Sequence, residues 1–344
     1  MEWDNSHQNF TSERMDETMP RHIHLIATGG TIAGTGQAGK TSGYEAGSLP
    51  VRSLLDTLPP LPEDLQLTAE QLCSIDSNQV DSALWLRLAR HINQLAQTDI
   101  DGFVITHGTD TMDETAYFLN LTVKTEKPVI LTGAMRPSTA ASADGPLNLY
   151  QAIHLAAKPE AAGKGILVCF CDSIYSGRDV QKVNTYKTDA FNEKDLSCLG
   201  YMRDDQCYFL NASLAVHTTA SRFDVSGLTE LPRVDILYFY AGAPADALDF
   251  YASRARGLVI AGTGSGNYSP QWVEKIRQLS RLCIPVVRSS RIGHGIVSRD
   301  PHFEGSDNCI PAYTLPPQKA RILLSLALTV TDSYAEIEEI FRKY

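Results

Sequence analysis

Two stretches decide how this chain reads: RHIHLIATGGTIAG, residues 21–34, and GFVITHGTDTMDETA, residues 102–116. In each, a short apolar run (residues 22–27 and 103–106) enters a turn made of glycine and threonine. Such runs have the look of buried strands, and paired glycines let a backbone turn sharply and approach a ligand closely. Thr111-Met112-Asp113-Glu114 has the spacing of a capping box, so a helix is expected to begin there. Thr109 and Asp110 then lie beside free helix N–H groups, where negative charge is favoured. Open α/β sheets bind ligands at the carboxyl ends of their strands, so both turns are candidate site elements.

A single glycine-rich turn after a strand is weak evidence, because ordinary βα-loop geometry explains it. Two such turns that both supply hydroxyls, one with a carboxylate, are harder to dismiss. Nucleotide binding is not supported. Gly29, Gly30 and Gly34 do not form G-x-G-x-x-G, and no G-x-x-x-x-G-K-[ST] run occurs.

Further motifs follow in order: LTGAMRPSTAASADGPLNLYQA (131–152), GRDVQK (177–182) and PQKARILLSLALT (317–329). Taken with the two turns, they resemble the bacterial-type L-asparaginases from about His22 to Tyr344, and only the N-terminal tail lies outside the resemblance. The resemblance implies a role for each matching position. Thr31 matches a nucleophilic threonine, and Tyr44 the tyrosine that activates or orients it. Thr109, Asp110 and Lys182 match a second catalytic set that polarises a hydroxyl or a water. Ser77 and Asp110 match groups that hold the substrate's α-carboxylate and α-amino group, and Asn267 an asparagine that reaches a neighbouring subunit's site. The family also implies homotetramers built as dimers of dimers.

The residue types suit amide hydrolysis. A threonine hydroxyl attacks only when an adjacent group takes its proton. Lysine serves as a base only where burial or nearby positive charge favours its neutral form, and Asp110 works against that, so Lys182 is expected to act mainly as an orienting charge. Backbone N–H groups near Thr31 and Thr109 are candidate oxyanion donors. The expected course is acylation of Thr31, loss of ammonia, then hydrolysis of the acyl-enzyme. Residues 33–49, rich in Gly, Thr and Ser, are expected to form a lid that carries Tyr44 to Thr31.

Two positions depart from the family pattern. Ser77-Asn78 stands where many relatives have Ser-Gln, shortening an amide-bearing side chain by one methylene. Pro301 or His302 falls where relatives place a glutamate that reads the substrate amino group from a partner subunit. Glu304 is the nearest glutamate; the bland alternative for it is a solvated loop charge. Read singly, Lys182 is a surface lysine, Tyr44 a loop aromatic and Ser77 a turn serine. His107 is read as a histidine satisfied by local hydrogen bonds.

Composition agrees with a globular enzyme: 344 residues, 43% hydrophobic and 20% charged, with a formal net charge of −10 that argues against a nucleic-acid surface. The expected fold is α/β, with two domains of parallel-rich sheets flanked by helices, the larger N-terminal and the smaller C-terminal. The divisions are a tail (1–21), a catalytic domain (22–211), a linker (212–233) and a second domain (234–344). Strands are expected to alternate with helices up to about Asn211. No metal-ligand pattern occurs, and neither metal nor cofactor is expected. Seven cysteines without a C-x-x-C pair, an acidic polar N-terminus and no apolar membrane-length stretch lead to a cytoplasmic expectation with reduced thiols. Periplasmic relatives carry a disulfide near positions 98 and 125, where this chain has Thr98 and Thr125. Alternatives to the asparaginase reading are an amidase or esterase acting on another small substrate, or a non-catalytic amino-acid-binding protein on the same fold.

Overall fold

The computed structural model describes residues 20–193 and 195–344. The expected N-terminal tail therefore lies almost wholly outside the described residues. Fourteen strands are described: β1 (Arg21–Gly29), β2 (Leu65–Ile75), β3 (Gly102–Thr106), β4 (Val129–Thr132), β5 (Ile166–Phe170), β6 (Ser173–Ser176), β7 (Gln181–Lys182), β8 (Phe191–Asn192), β9 (Gly200–Arg203), β10 (Gln206–Phe209), β11 (Val234–Tyr238), β12 (Gly257–Gly262), β13 (Val286–Ser290) and β14 (Cys309–Pro311). The α-helices are α1 (Val51–Leu55), α2 (Ser82–Leu95), α3 (Met112–Thr122), α4 (Gly145–Ala157), α5 (Ala247–Ala252), α6 (Pro270–Leu279), α7 (Pro317–Ala327) and α8 (Tyr334–Lys343).

The larger sheet runs β10-β9-β6-β5-β4-β3-β1-β2, with β2, β1, β3, β4 and β5 mutually parallel. Its central strands β1, β3, β4 and β5 are buried on both faces over most of their length. From β1, Ile23 and Leu25 enter a core with α4, whereas Ile26 enters the opposite core with α2 and α3. That explains why these strands read as continuous apolar runs. The chain passes from β1 out to β2 and returns to β3 on the other side of β1, so the strand order reverses between β1 and β3. Both glycine-threonine turns leave this switch point, with Ala27 and Thr106 paired in register just before them.

Two expectations need correction. Strand-helix alternation stops at β5, because β5 turns back into antiparallel β6 through Cys171 and Asp172, whose φ values of 48° and 61° make a tight hairpin. Antiparallel β9 and β10 then extend the edge. Asn148 and Gln151 of α4 hold this turn by bonds to the Cys171 N–H and the Asp172 carboxylate, at 3.1 and 2.6 Å. The capping box also fails: helix α3 starts where expected, but the Thr111 side chain makes no capping bond. Its hydroxyl donates to the Ser77 carbonyl at 2.8 Å, tying α3 to the turn after β2 instead.

The smaller sheet, β11-β12-β13-β14, is parallel throughout. Trp272 and Ile276 of α6 pack on one face, through Leu258, Ile260 and Val286. Helix α7 covers the other face, and its residues join a core that also holds Trp85, Tyr117 and Phe118 of the larger domain. The segment 212–233 contains one 3-10 turn, Thr218–Ala220, and sends Phe223 and Val225 into this shared core.

Candidate active site

The first turn is built around Gly29 and Gly30, at φ 109° and 80°, a region that side chains rarely adopt. A Cβ on Gly30 would lie 2.4 Å from the Gly108 nitrogen, and one on Gly108 would lie 2.7 Å from Ser77 Cβ. The two glycine turns and the turn after β2 are thus packed backbone to backbone. Threonines follow each glycine, so this contact fixes Thr31 and Thr109 on one wall. Both are buried except for a few per cent of their surface.

Residues 33–49 fold back as the expected cover. Thr35 and Glu45 exchange backbone bonds at 3.1 and 2.9 Å, Gly47 N donates to the Gly30 carbonyl at 3.0 Å, and Gly36 N donates to Thr139 Oγ1 at 3.0 Å. Gly34 and Gly36 leave room for the Tyr44 side chain, since a Cβ on either would lie 2.9 Å from it. Tyr44 Oη is 2.8 Å from Thr31 Oγ1.

On the second turn, Lys182 Nζ donates to Thr109 Oγ1 at 2.8 Å and to Asp110 Oδ1 at 2.6 Å. Buried Ser77 accepts from the Asp110 N–H through its hydroxyl at 3.2 Å. These residues line one cleft of about 580 Å³, with Asp76, Met135, Arg136, Thr185 and Tyr186 on its remaining walls. Its outer side is polar: the Asp110 side chain is 64% exposed, against 16% for Lys182.

His107 lies beneath this wall and takes no part in it. Its Nδ1 is 2.7 Å from the Gly108 carbonyl and its Nε2 is 3.0 Å from Thr115 Oγ1. Trp85 Nε1 donates to the same hydroxyl at 2.8 Å, so that hydroxyl donates onward to Nε2 and Nδ1–H faces the carbonyl. Burial pushes the imidazole down to about 4, against an opposing pull from the Gly108 carbonyl. It is a neutral, locally satisfied histidine, as the sequence reading expected.

Six of the predicted positions therefore meet: Thr31, Tyr44, Ser77, Thr109, Asp110 and Lys182 line the cleft. Asn78 does not line it; its amide donates to Asp76 Oδ2 at 3.3 Å. Asp76 itself is a cleft residue that the sequence reading passed over. Its only signal was its place next to Ser77. Asn267 lies in the other domain, in the turn after β12, where it pairs with Thr263 through backbone bonds of 2.9 and 2.6 Å.

Glu304 needs correction. It is not a solvated loop charge: its side chain is 4% exposed and bonds to Arg288 at 2.8 Å, Arg299 at 3.0 Å and the Asp300 N–H at 3.1 Å. Arg288 is equally buried, so the pair is a structural brace inside the smaller domain. The His302 side chain, by contrast, is 92% exposed. Among the described residues no group of His, Cys, Asp and Glu has the arrangement of a metal site.

Comparison with known proteins matches this chain to one family. Residues 22–214 match the family model of the asparaginase N-terminal domain, and residues 233–341 that of the glutaminase/asparaginase C-terminal domain. The chain is 44% identical to L-asparaginase 2 of Bacillus subtilis (strain 168) over 94% of its own length and 86% of the relative's. It is 43% identical to L-asparaginase 2 of Escherichia coli (strain K12), covering 94% and 93% of the two chains. It is 38% identical to the glutaminase-asparaginase of Pseudomonas fluorescens biotype A, covering 95% and 92%. The crystal structure of a probable cytoplasmic L-asparaginase from Campylobacter jejuni superposes with a TM-score of 0.91 at 44% identity, over 94% of this chain and all of that one. The chain belongs to the asparaginase family.

Proposed function

We propose that this protein is an L-asparaginase that hydrolyses the side-chain amide of L-asparagine to L-aspartate and ammonia, with L-glutamine as a lesser substrate. The observation that carries the reading is the pair of threonine hydroxyls facing one cleft, each 2.8 Å from a partner suited to proton or charge work, Tyr44 for Thr31 and Lys182 for Thr109. Relatives named both as L-asparaginases and as glutaminase-asparaginases support the substrate class.

In the proposed course, Thr31 Oγ1 attacks the amide carbon while its proton passes to Tyr44 Oη and the phenol hands its own proton on toward the leaving nitrogen. Backbone N–H groups of the two turns stabilise the oxyanion, a term typically worth about 3 kcal/mol per donor. The proton reaches the leaving nitrogen, ammonia departs, and an ester of Thr31 remains. A water aligned by Thr109 and Lys182 then attacks that ester and releases aspartate. Ser77 is assigned to the α-carboxylate. Asp110 is assigned to the α-amino group, with Asp76 as a second carboxylate on the same wall, an arrangement supported by the commitment of Glu304 elsewhere.

The functional assembly in this reading is a homotetramer, a dimer of dimers in which Asn267 reaches a neighbour's cleft. Support comes from the same end of the smaller sheet, where Ile292 and Ile296, 52% and 57% exposed, line a hollow with Gly264 and Ser265 of the Asn267 turn. A cytoplasmic location is part of the proposal, supported by the free state of all seven cysteines and by the name of the structural neighbour. No helix among the described residues is long and apolar enough to cross a membrane.

Ammonia release from L-asparagine and L-glutamine tests the reading. Asparagine turnover above glutamine turnover, lost in Thr31→Ala, is expected. No release from either substrate by the wild type would overturn it. Sedimentation of a fully active monomer would overturn the assembly alone.

A further inference from the structure

Lys182 stands on β7, a two-residue strand paired only with the two residues of β8, and a strand that short cannot fix a long side chain by itself. Directly before it, residues 177–180 turn inward. Their carbonyls converge on the ammonium of Lys319, which donates to Gly177 O at 3.3 Å, Arg178 O at 2.6 Å and Val180 O at 2.6 Å. Lys319 is 1% exposed and comes from the first turn of α7, in the other domain. Its ammonium also lies 5.7 Å from the centre of the Tyr117 ring of α3.

The same ammonium acts on the second catalytic turn. Asp113, buried in the first turn of α3, is pushed up by burial and held back by the charge of Lys319 and by the Lys182 backbone N–H. Next to it, Glu114 pairs with Arg321 of α7 at 3.2 Å. One buried cation thus adjoins both the loop that carries Lys182 and the helix that follows Thr109.

We propose that Lys319 is a positioning residue for Lys182, setting the distance between the Lys182 ammonium and the Thr109 hydroxyl from across the domain boundary. Three carbonyls of one turn accept from it, so the turn is anchored at three points, and Lys182 follows two residues later. Burial of a charge in this way is tolerated because its donors are bonded. The inference rests on the reading of Lys182 as part of the reaction machinery.

A kinetic cycle with L-asparagine tests it, using wild type, Lys182→Met, Lys319→Met and the double variant, all assayed well below their unfolding temperatures. Misplacing a reacting group by about an ångström costs roughly 100-fold in rate, so Lys319→Met is expected to lower kcat about 10- to 100-fold with KM nearly unchanged. In the Lys182→Met background the same substitution is expected to have no further effect, because the two act as one unit. Equal losses in both backgrounds would overturn the positioning role while leaving Lys182 in place. A fully active Lys182→Met would overturn both. If Lys319→Met does not fold, Lys319→Gln, with two N–H donors on a shorter stem, enters the same cycle. A kcat loss that vanishes without Lys182 supports the proposal, and unchanged or additive kinetics overturn it.

Discussion

The two glycine-threonine turns stand at the ends of adjacent strands, yet they differ in backbone, with Gly29 and Gly30 but not Gly108 at positive φ, and their hydroxyls are set up differently. Thr31 meets a phenol carried by a cover folded from the next eighteen residues, and among the described residues the bonds holding that cover come from the larger domain. Thr109 meets an ammonium from a loop more than seventy residues later, anchored by a lysine of the smaller domain. Turns at adjacent strand ends therefore acquire distinct partners: one hydroxyl lies beside a phenol, the other beside a lysine amine.

That contrast can be broken by experiment. The largest effect is expected for Thr31→Ala, a loss of about 10⁴-fold or more in kcat, with no burst of ammonia in rapid-mixing assays. Thr109→Val should fall about 10²- to 10³-fold and should retain a burst equal to the number of sites, because the acyl-enzyme forms and then waits for water. Bursts in both variants, or in neither, would erase the proposed division of labour. Tyr44→Phe is expected to lose about 10²-fold in kcat, since only proton handling at Thr31 is removed. Ser77→Ala should act mainly on KM, raising it about tenfold, the worth of one hydrogen bond to a charged group.

The smallest effect is one of stability. His107 is held neutral down to about 4, whereas an unfolded histidine takes its proton near 6.5. The unfolded chain thus binds more protons between these values, and stability falls as pH drops from about 6.5 to 4, by up to about 3 kcal/mol. Denaturant titrations of His107→Gln should show a shallower decline in that window. Glu193 has the opposite sign. Burial raises its carboxyl to about 8, so the folded chain holds the extra proton and stability declines as pH rises from about 4.5 to 8. Glu193→Gln should be more resistant to unfolding than the wild type at pH 8 to 9, and equal resistance there would remove this assignment.

Much of the site was legible because its parts are local. Gly30 and Gly108 advertise backbone turns that tolerate no Cβ, and Thr31 and Thr109 follow each by one residue. Tyr44 and Lys182 were legible only through resemblance; neither residue type nor spacing marks them. Thr111 was misread because a capping sequence states what a hydroxyl can do locally, and here a nonlocal acceptor, the Ser77 carbonyl, took it. Glu304 was misread for a related reason. A loop glutamate looks solvated until Arg288 and Arg299 close on it. The hairpin at Cys171 and Asp172 was hidden because neither residue is the glycine or asparagine that usually marks such a turn.

By itself the sequence determined the two apolar strands, the sharp turns after them and the hydroxyls those turns present, since these follow from backbone sterics and hydrophobic burial over a few residues. Only the tertiary structure decided what each hydroxyl faces. Reversal of strand order beside β1 brings the two turns together, and α7 carries Lys319 across the domain boundary to the loop that bears Lys182. Hydrogen-bond partners more than a hundred residues apart are chosen by chain topology and by the need to satisfy buried polar groups, neither of which a local stretch of sequence contains.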